Sequence, residues 1–72
     1  MISYFNNGVL SIDSNQNIKK IELFDVSGKN VFYSEIINAT KFFQQNINLS
    51  NGVYILNVVC ENGVKKSIKI LN

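Results

Sequence analysis

Runs rich in Ile, Val, Phe and Tyr alternate along the whole chain with short clusters of Asn, Gly, Ser and Asp. Branched and aromatic side chains suit a pleated, half-buried surface, whereas Asn, Gly and Asp are typical of tight turns. No long segment repeats its apolar positions at the spacing of a helix. The pattern therefore predicts an all-β protein.

The first half of the chain predicts three strands. They cover residues 8–12, 18–26 and 31–33, with a turn at residues 14–17 and a hairpin at residues 25–29. Asp25 suits the first position of a type I turn, and Gly28 tolerates the left-handed conformation of the bulge that follows such a turn.

The middle of the chain has the weakest alternation. Residues 38–48, where Phe42 and Phe43 are adjacent, indicate an irregular crossover that ends in a short edge strand through Ile47 and Leu49. A turn is expected at residues 50–52, where a serine and an asparagine precede a glycine.

The last third predicts two strands joined by a hairpin. Residues 53–60 are apolar at nearly every position, as in a central strand that is covered on both faces. Asn62 and Gly63 favour a type I′ turn. Residues 64–71 then alternate, which places Ile68 and Ile70 toward the core. With six to seven short strands in all, the sequence predicts a small immunoglobulin-like antiparallel β-sandwich.

Length and composition limit what this fold can do. A chain of 72 residues forms one domain, residues 1–72, and a domain of this size buries only about 60% of its unfolded surface. Hydrophobic residues make up 46% and charged residues 17%, which excludes a disordered tail. The apolar runs fall short of the roughly 20 residues of a transmembrane helix, so no membrane span is expected.

The formal charge of +2 comes from lysine alone, since the chain has no arginine. Arginine forks are the usual readers of phosphate and guanine, so their absence argues against nucleic-acid binding. The chain also lacks histidine, the commonest proton shuttle and transition-metal ligand. No cofactor and no resident metal are expected.

Two kinds of side chain could carry chemistry. Cys60 is the single cysteine, and without a histidine base it fits a buried core thiol better than a nucleophile. The carboxylates show no metal-loop spacing, although a calcium site built from loop tips stays open; they are Asp13, Glu22, Asp25, Glu35 and Glu61. The sequence therefore does not favour an enzyme.

Lysines on the last strand have two interpretations. Lys65, Lys66 and Lys69 could bind an acidic partner, or they could simply keep an edge strand from pairing with other chains. On charge alone, edge protection is the simpler interpretation.

Three segments of the chain, residues 18–32, 47–56 and 62–71, resemble the type A C-terminal sorting domain of type IX secretion cargo, in order and at similar spacing. The family's strand-turn motif falls on Asp25, Gly28 and Lys29, where arginine is frequent in place of the lysine. Its Gly-x-Tyr motif falls on Gly52 and Tyr54. Its terminal basic motif falls on Lys66 and Lys69, with Lys65 beside them and Asn62 and Gly63 in the preceding turn. The proline-containing start of the family is missing here.

The resemblance implies an immunoglobulin-like domain attached to an N-terminal cargo. The outer-membrane type IX translocon would recognise it through Gly52, Tyr54 and the three terminal lysines, and a surface sortase commonly removes it. The first eight residues have no export signal of their own, so export would need a separate one. The domain would pass through the periplasm to the cell surface or the medium. An alternative is an adhesive or carbohydrate-binding module that uses exposed Phe5, Phe32 or Phe43.

Overall fold

The computed structural model describes all 72 residues and contains five strands and no helix. The strands are β1 (Ile2–Asn6), β2 (Val9–Asp25), β3 (Asn30–Asn46), β4 (Val53–Cys60) and β5 (Lys65–Leu71). They make up 75% of the chain and form one antiparallel sheet that is curled into a half-barrel. The all-β prediction is confirmed, with five strands where six to seven were expected.

β2 is the central strand of the sheet. β3 pairs with it along one side, while β1 and β4 share the other side, β1 beside residues 9–13 and β4 beside residues 18–25. β5 pairs only with β4. β1, β3 and β5 are therefore edges of the sheet, and β1 comes near β5 without forming a ladder with it.

Two of the predicted connections are strands in the structure. Residues 14–17 form an irregularity within β2, since the register with β3 jumps between Asp13 and Ile18. The Ser14 hydroxyl accepts a bond of 3.0 Å from the Gln16 amide there, which satisfies a backbone group that the ladder leaves free. The turn expected at residues 14–17 is thus a bend in one long strand.

The irregular crossover expected over residues 38–48 is also wrong, because β3 continues to Asn46. Its register with β2 jumps between Thr40 and Glu35, so residues 36–39 have no partner in β2. β1 was missed altogether. Asn7 and Gly8 connect it to β2 with φ values of 52° and 77°, the two positive angles of a type I′ hairpin.

The predicted hairpin at residues 25–29 is confirmed, and the one at residues 61–63 has a different turn from the one expected. In the first, the Gly28 amide donates to the Asp25 carbonyl at 3.0 Å and Gly28 has a φ of 89°. In the second, the Gly63 amide donates to the Cys60 carbonyl at 3.0 Å, and only Gly63 has a positive φ. Both are type I turns followed by a glycine bulge, so the type I′ prediction for Asn62 and Gly63 is wrong.

The core lies inside the curl and draws side chains from both halves of β2. Eleven residues are buried together: Leu10, Ile12, Ile18, Ile21, Leu23, Ile47, Tyr54, Leu56, Val58, Cys60 and Ile70. Cys60 and Ile70 are buried as predicted. β4 is covered on one face only, because Ile55 on its other face is 37% exposed, so the prediction of cover on both faces is wrong.

Candidate functional site

β5 is the element that carries the predicted terminal lysines, and it is an edge strand. It runs antiparallel to β4 from the Val59–Lys65 pair to the Val53–Leu71 pair. Alternation holds along it, since Ile70 is 4% exposed while its neighbours Lys69 and Leu71 are exposed. The strand therefore presents one side to β4 and leaves the other side without a strand partner.

The hydrogen bonds at both ends of the β4–β5 ladder fix which backbone groups are free. Gly52 and Asn72 exchange two backbone bonds of 3.0 Å, and the Cys60 amide donates to the Val64 carbonyl at 2.9 Å. Bonded pairs recur at every second residue of an antiparallel ladder. The residues of β5 that bond to β4 are thus Lys66, Ile68 and Ile70. Those whose amide and carbonyl point away from β4 are Lys65, Ser67, Lys69 and Leu71.

All three lysines of β5 are exposed and none of them forms an ion pair. The one ion pair in the structure joins Lys20 and Glu22 on β2, at 3.9 Å. Lys65 and Lys69 lie on the outer face of the sheet, whereas Lys66 lies on the face that carries Ile70. Unpaired positive charge therefore lies along the edge strand β5 on both faces of the sheet.

The outer face beside these lysines is partly apolar. Lys69 lies opposite Ile55, and Leu71, which is 65% exposed, lies opposite Val53. Further along the same face, the Tyr33 hydroxyl donates to Glu35 at 2.6 Å, which raises the pKa of Tyr33. This face therefore combines cations at its edge with exposed apolar groups beside them.

A set of hydrogen bonds holds the end of β5. The side-chain amide of Asn72 donates to the Leu49 carbonyl at 2.9 Å and to the Ser50 carbonyl at 3.1 Å. The Tyr54 hydroxyl donates to the same Ser50 carbonyl at 2.7 Å. With the two backbone bonds between Gly52 and Asn72, these contacts fasten the end of β5 to the loop before β4.

Gly52 and Tyr54 belong to this anchor. Tyr54 is only 7% exposed, and its hydroxyl is bonded within the domain. Gly52 has no positive φ, and a Cβ there would meet Tyr54 Cε2 at 3.9 Å, an ordinary contact. Both residues therefore help to hold the end of β5 in place. Ser50 and Asn72 were missed by the sequence analysis, since nothing in the hydrophobic pattern marks a backbone acceptor or a single asparagine.

The strand-turn motif is built around one carboxylate. Asp25 Oδ1 accepts bonds from the Ser27 hydroxyl at 2.6 Å and from the amides of Ser27 and Lys29 at 3.0 Å each. The Ser27 hydroxyl, followed by the Lys29 amide, lowers the pKa of Asp25 below its usual value. These bonds provide acceptors for the backbone amides of the turn, and the Lys29 side chain is left exposed.

The motif residues fall into two groups at opposite ends of the sheet. Asp25 pairs with Tyr54, which brings the strand-turn motif to the end that holds Gly52. Asn62 and Gly63 lie at the other end, where Asn62 Oδ1 accepts a bond of 3.1 Å from the Val64 amide. The two ends are about 20 Å apart along β5 by strand rise. The lysines span the distance between them.

The three phenylalanines named for a carbohydrate surface pack against the core. Phe5, Phe32 and Phe43 are partly buried, and the rings of Phe32 and Phe43 lie 6.3 Å apart at 52°. They do not form the exposed patch that the alternative requires. The exposed aromatic side chains are Tyr4, Tyr33 and Phe42.

Two shallow depressions, of about 390 and 400 Å³, lie side by side near the turn between β1 and β2. Their walls are mostly backbone and side-chain amides, including Asn7, Gln44 and Asn46. Nowhere do three or more His, Cys, Asp or Glu side chains gather as a metal site would need. The structure has no helix that could cross a membrane.

A protein-family model matches this chain. No curated protein matches the sequence. The match to the family described as Domain of unknown function (DUF8694) extends over residues 1–72, so the chain belongs to this family along its whole length.

Proposed function

We propose that this domain is a C-terminal sorting domain that directs an attached protein through the type IX secretion system. The observation that carries the proposal is the free basic edge of β5, where Lys65, Lys66 and Lys69 are exposed and unpaired. The resemblance of residues 18–32, 47–56 and 62–71 to type A sorting domains also supports it. In this role the domain is a substrate of the export machinery and not an enzyme.

The partners follow from this role. The cargo is joined covalently on the N-terminal side of the domain, the outer-membrane translocon recognises β5, and a surface sortase removes the domain. The protein passes through the periplasm and reaches the cell surface or the medium. Gly52 and Tyr54 contribute by holding β5 in place, because they fasten its end to the preceding loop.

Whether the fold corresponds to an immunoglobulin-like sandwich depends on how its strands are counted. Residues 14–17 interrupt the pairing of β2, and residues 36–39 interrupt that of β3. If each of these two strands is taken as two halves, the five strands become seven. We propose that the half-barrel is a continuous-strand form of the sandwich expected for sorting domains.

The experiment is to fuse the domain behind a reporter that carries its own periplasmic export signal, in a host with a working type IX system. We expect the fusion to reach the medium or the cell surface, because the translocon recognises the folded domain. The control is the same reporter without the domain. Equal periplasmic retention of both reporters would contradict the proposal.

A further inference from the structure

The free edge of β5 has the chemistry of a strand acceptor. The backbone amides and carbonyls of four residues point away from β4 and have no strand partner: Lys65, Ser67, Lys69 and Leu71. β1 lies near this edge but pairs only with β2. An extended peptide that pairs with such an edge gains backbone hydrogen bonds, while side-chain contacts decide which peptide binds.

Charge decides which strand this edge accepts. In a second copy of β5 paired antiparallel along its full length, Lys65 would lie diagonal to Lys69 of the copy, within reach of a long side chain. A shift by two residues would place the same two lysines directly opposite, where like charges are destabilising. None of the three lysines of β5 forms an ion pair within the domain. The same side chains that repel a copy attract carboxylates, so the edge discriminates between partners by both effects.

We infer that the free edge of β5 binds an extended acidic segment of a partner protein as an added strand. The segment covers the seven residues of β5, with carboxylates opposite Lys65 and Lys69 and an apolar residue opposite Leu71. This inference rests on the proposed function for the partner's identity, because the translocon would supply the segment. The binding event itself is independent of export.

The test uses the heptapeptide acetyl-Val-Thr-Glu-Val-Thr-Thr-Glu-amide, whose glutamates fall opposite Lys69 and Lys65 in an antiparallel pairing. Amide hydrogen exchange of the intact domain is measured with and without the peptide. We expect slower exchange at Lys65, Ser67, Lys69 and Leu71, and little change at Lys66, Ile68 and Ile70, which already bond to β4. The control peptide has lysine in place of both glutamates and should leave all of these amides unchanged.

Other exchange patterns would overturn the inference. If the four outward amides are already protected in the free domain, β1 covers the edge. If the peptide slows exchange along β3 instead, the acceptor is a different edge. If both peptides act alike, charge does not select the strand.

Ser67 offers a matched pair of variants. Ser67→Pro removes one outward amide, whereas Ser67→Ala keeps that amide, and both lose the 2.7 Å bond from the Ser67 hydroxyl to Asn57. We expect Ser67→Pro to weaken binding of the glutamate peptide by about tenfold and Ser67→Ala to bind like the parent. Equal binding by both variants would contradict edge pairing, and if Ser67→Pro does not fold, the exchange pattern of the parent chain decides.

The result of the peptide-binding test can be distinguished from the result of the export experiment. Peptide pairing at β5 combined with unchanged periplasmic retention of the reporter would support the edge and overturn the export role. Export that depends on the lysines, combined with no change in the outward amides, would overturn the edge and leave the export role standing.

Discussion

Three Asn-Gly pairs occur in this chain, and the structure uses each of them differently. Asn7 and Gly8 both have positive φ, Gly63 has a positive φ without Asn62, and Gly52 has none and pairs with Asn72 instead. The dipeptide marks a break between strands, but the pairing of the flanking strands decides its conformation. That is why the sequence located the turns that contain Gly52 and Gly63 without giving their conformations, and the turn at Asn7 and Gly8 was not predicted.

Gly28 and Gly52 give a residue-level prediction. Gly28→Ala should lower the free energy of unfolding by about 1 kcal/mol, because an alanine at a φ of 89° is strained. Gly52→Ala should leave it unchanged or slightly higher, since Gly52 is outside the left-handed region and has room for a Cβ. Chemical denaturation of both variants measures this. An equal loss in both would mean that Gly52 also needs to be glycine.

Asp25 gives a pH dependence. Its pKa is lower in the folded domain than the ordinary 3.8, so its bonds stabilise the domain above that pH and are lost as the pH falls through the folded-state pKa. Asp25→Asn keeps an oxygen acceptor but does not titrate. The parent should therefore lose more stability than this variant when the pH is lowered below about 4. Parallel stability curves for the two proteins would show that the carboxylate is not held by the turn.

At the scale of elements, the position of β5 depends on the anchor at its end. Tyr54 and Asn72 donate to the same Ser50 carbonyl, which ties the strand to the loop before β4. The resemblance to sorting domains implied that Tyr54 is one of the residues that the translocon contacts. In the structure, the Tyr54 hydroxyl bonds to Ser50 within the domain. Hydrophobic alternation shows which way a tyrosine points, but not whether its hydroxyl bonds within the domain or to a partner.

Tyr54→Phe tests the anchor. The variant keeps the ring and loses one partly buried hydrogen bond, so we expect a loss of about 1 kcal/mol in the free energy of unfolding. Faster amide exchange at Ile70 and Asn72, whose amides bond to β4 and to Gly52, should accompany it. Tyr4→Phe is the matched control, because the Tyr4 hydroxyl is exposed and makes no hydrogen bond. If both variants match the parent in stability, Tyr54 is not an anchor.

At the scale of the whole molecule, the sequence predicted the strand class, the hairpin at residues 25–29 and the inward face of β5. It did not predict the curl. Residues 14–17 resemble a turn because they are all polar and because Asn15 and Gln16 in the bulge are exposed just as turn residues are. Only the pairing with β3 shows that the chain continues in the same strand. In β3, the jump in register breaks the alternation around Phe42 and Phe43, which made a strand look like a crossover.

The central claim is that export machinery recognises the basic edge of β5, and one measurement tests it most directly. Lys66 and Lys69 are replaced together by alanine in the reporter fusion, and secretion is compared with that of a second double variant, Lys19→Ala and Lys41→Ala. Both double variants change the net charge from +2 to 0, and all four lysines are exposed. Exposed lysines contribute about 0 to 1 kcal/mol each, so both variants should fold, which thermal unfolding verifies.

The account predicts that the β5 variant stays in the periplasm while the second variant is secreted like the parent. Equal secretion of the two folded variants would contradict it.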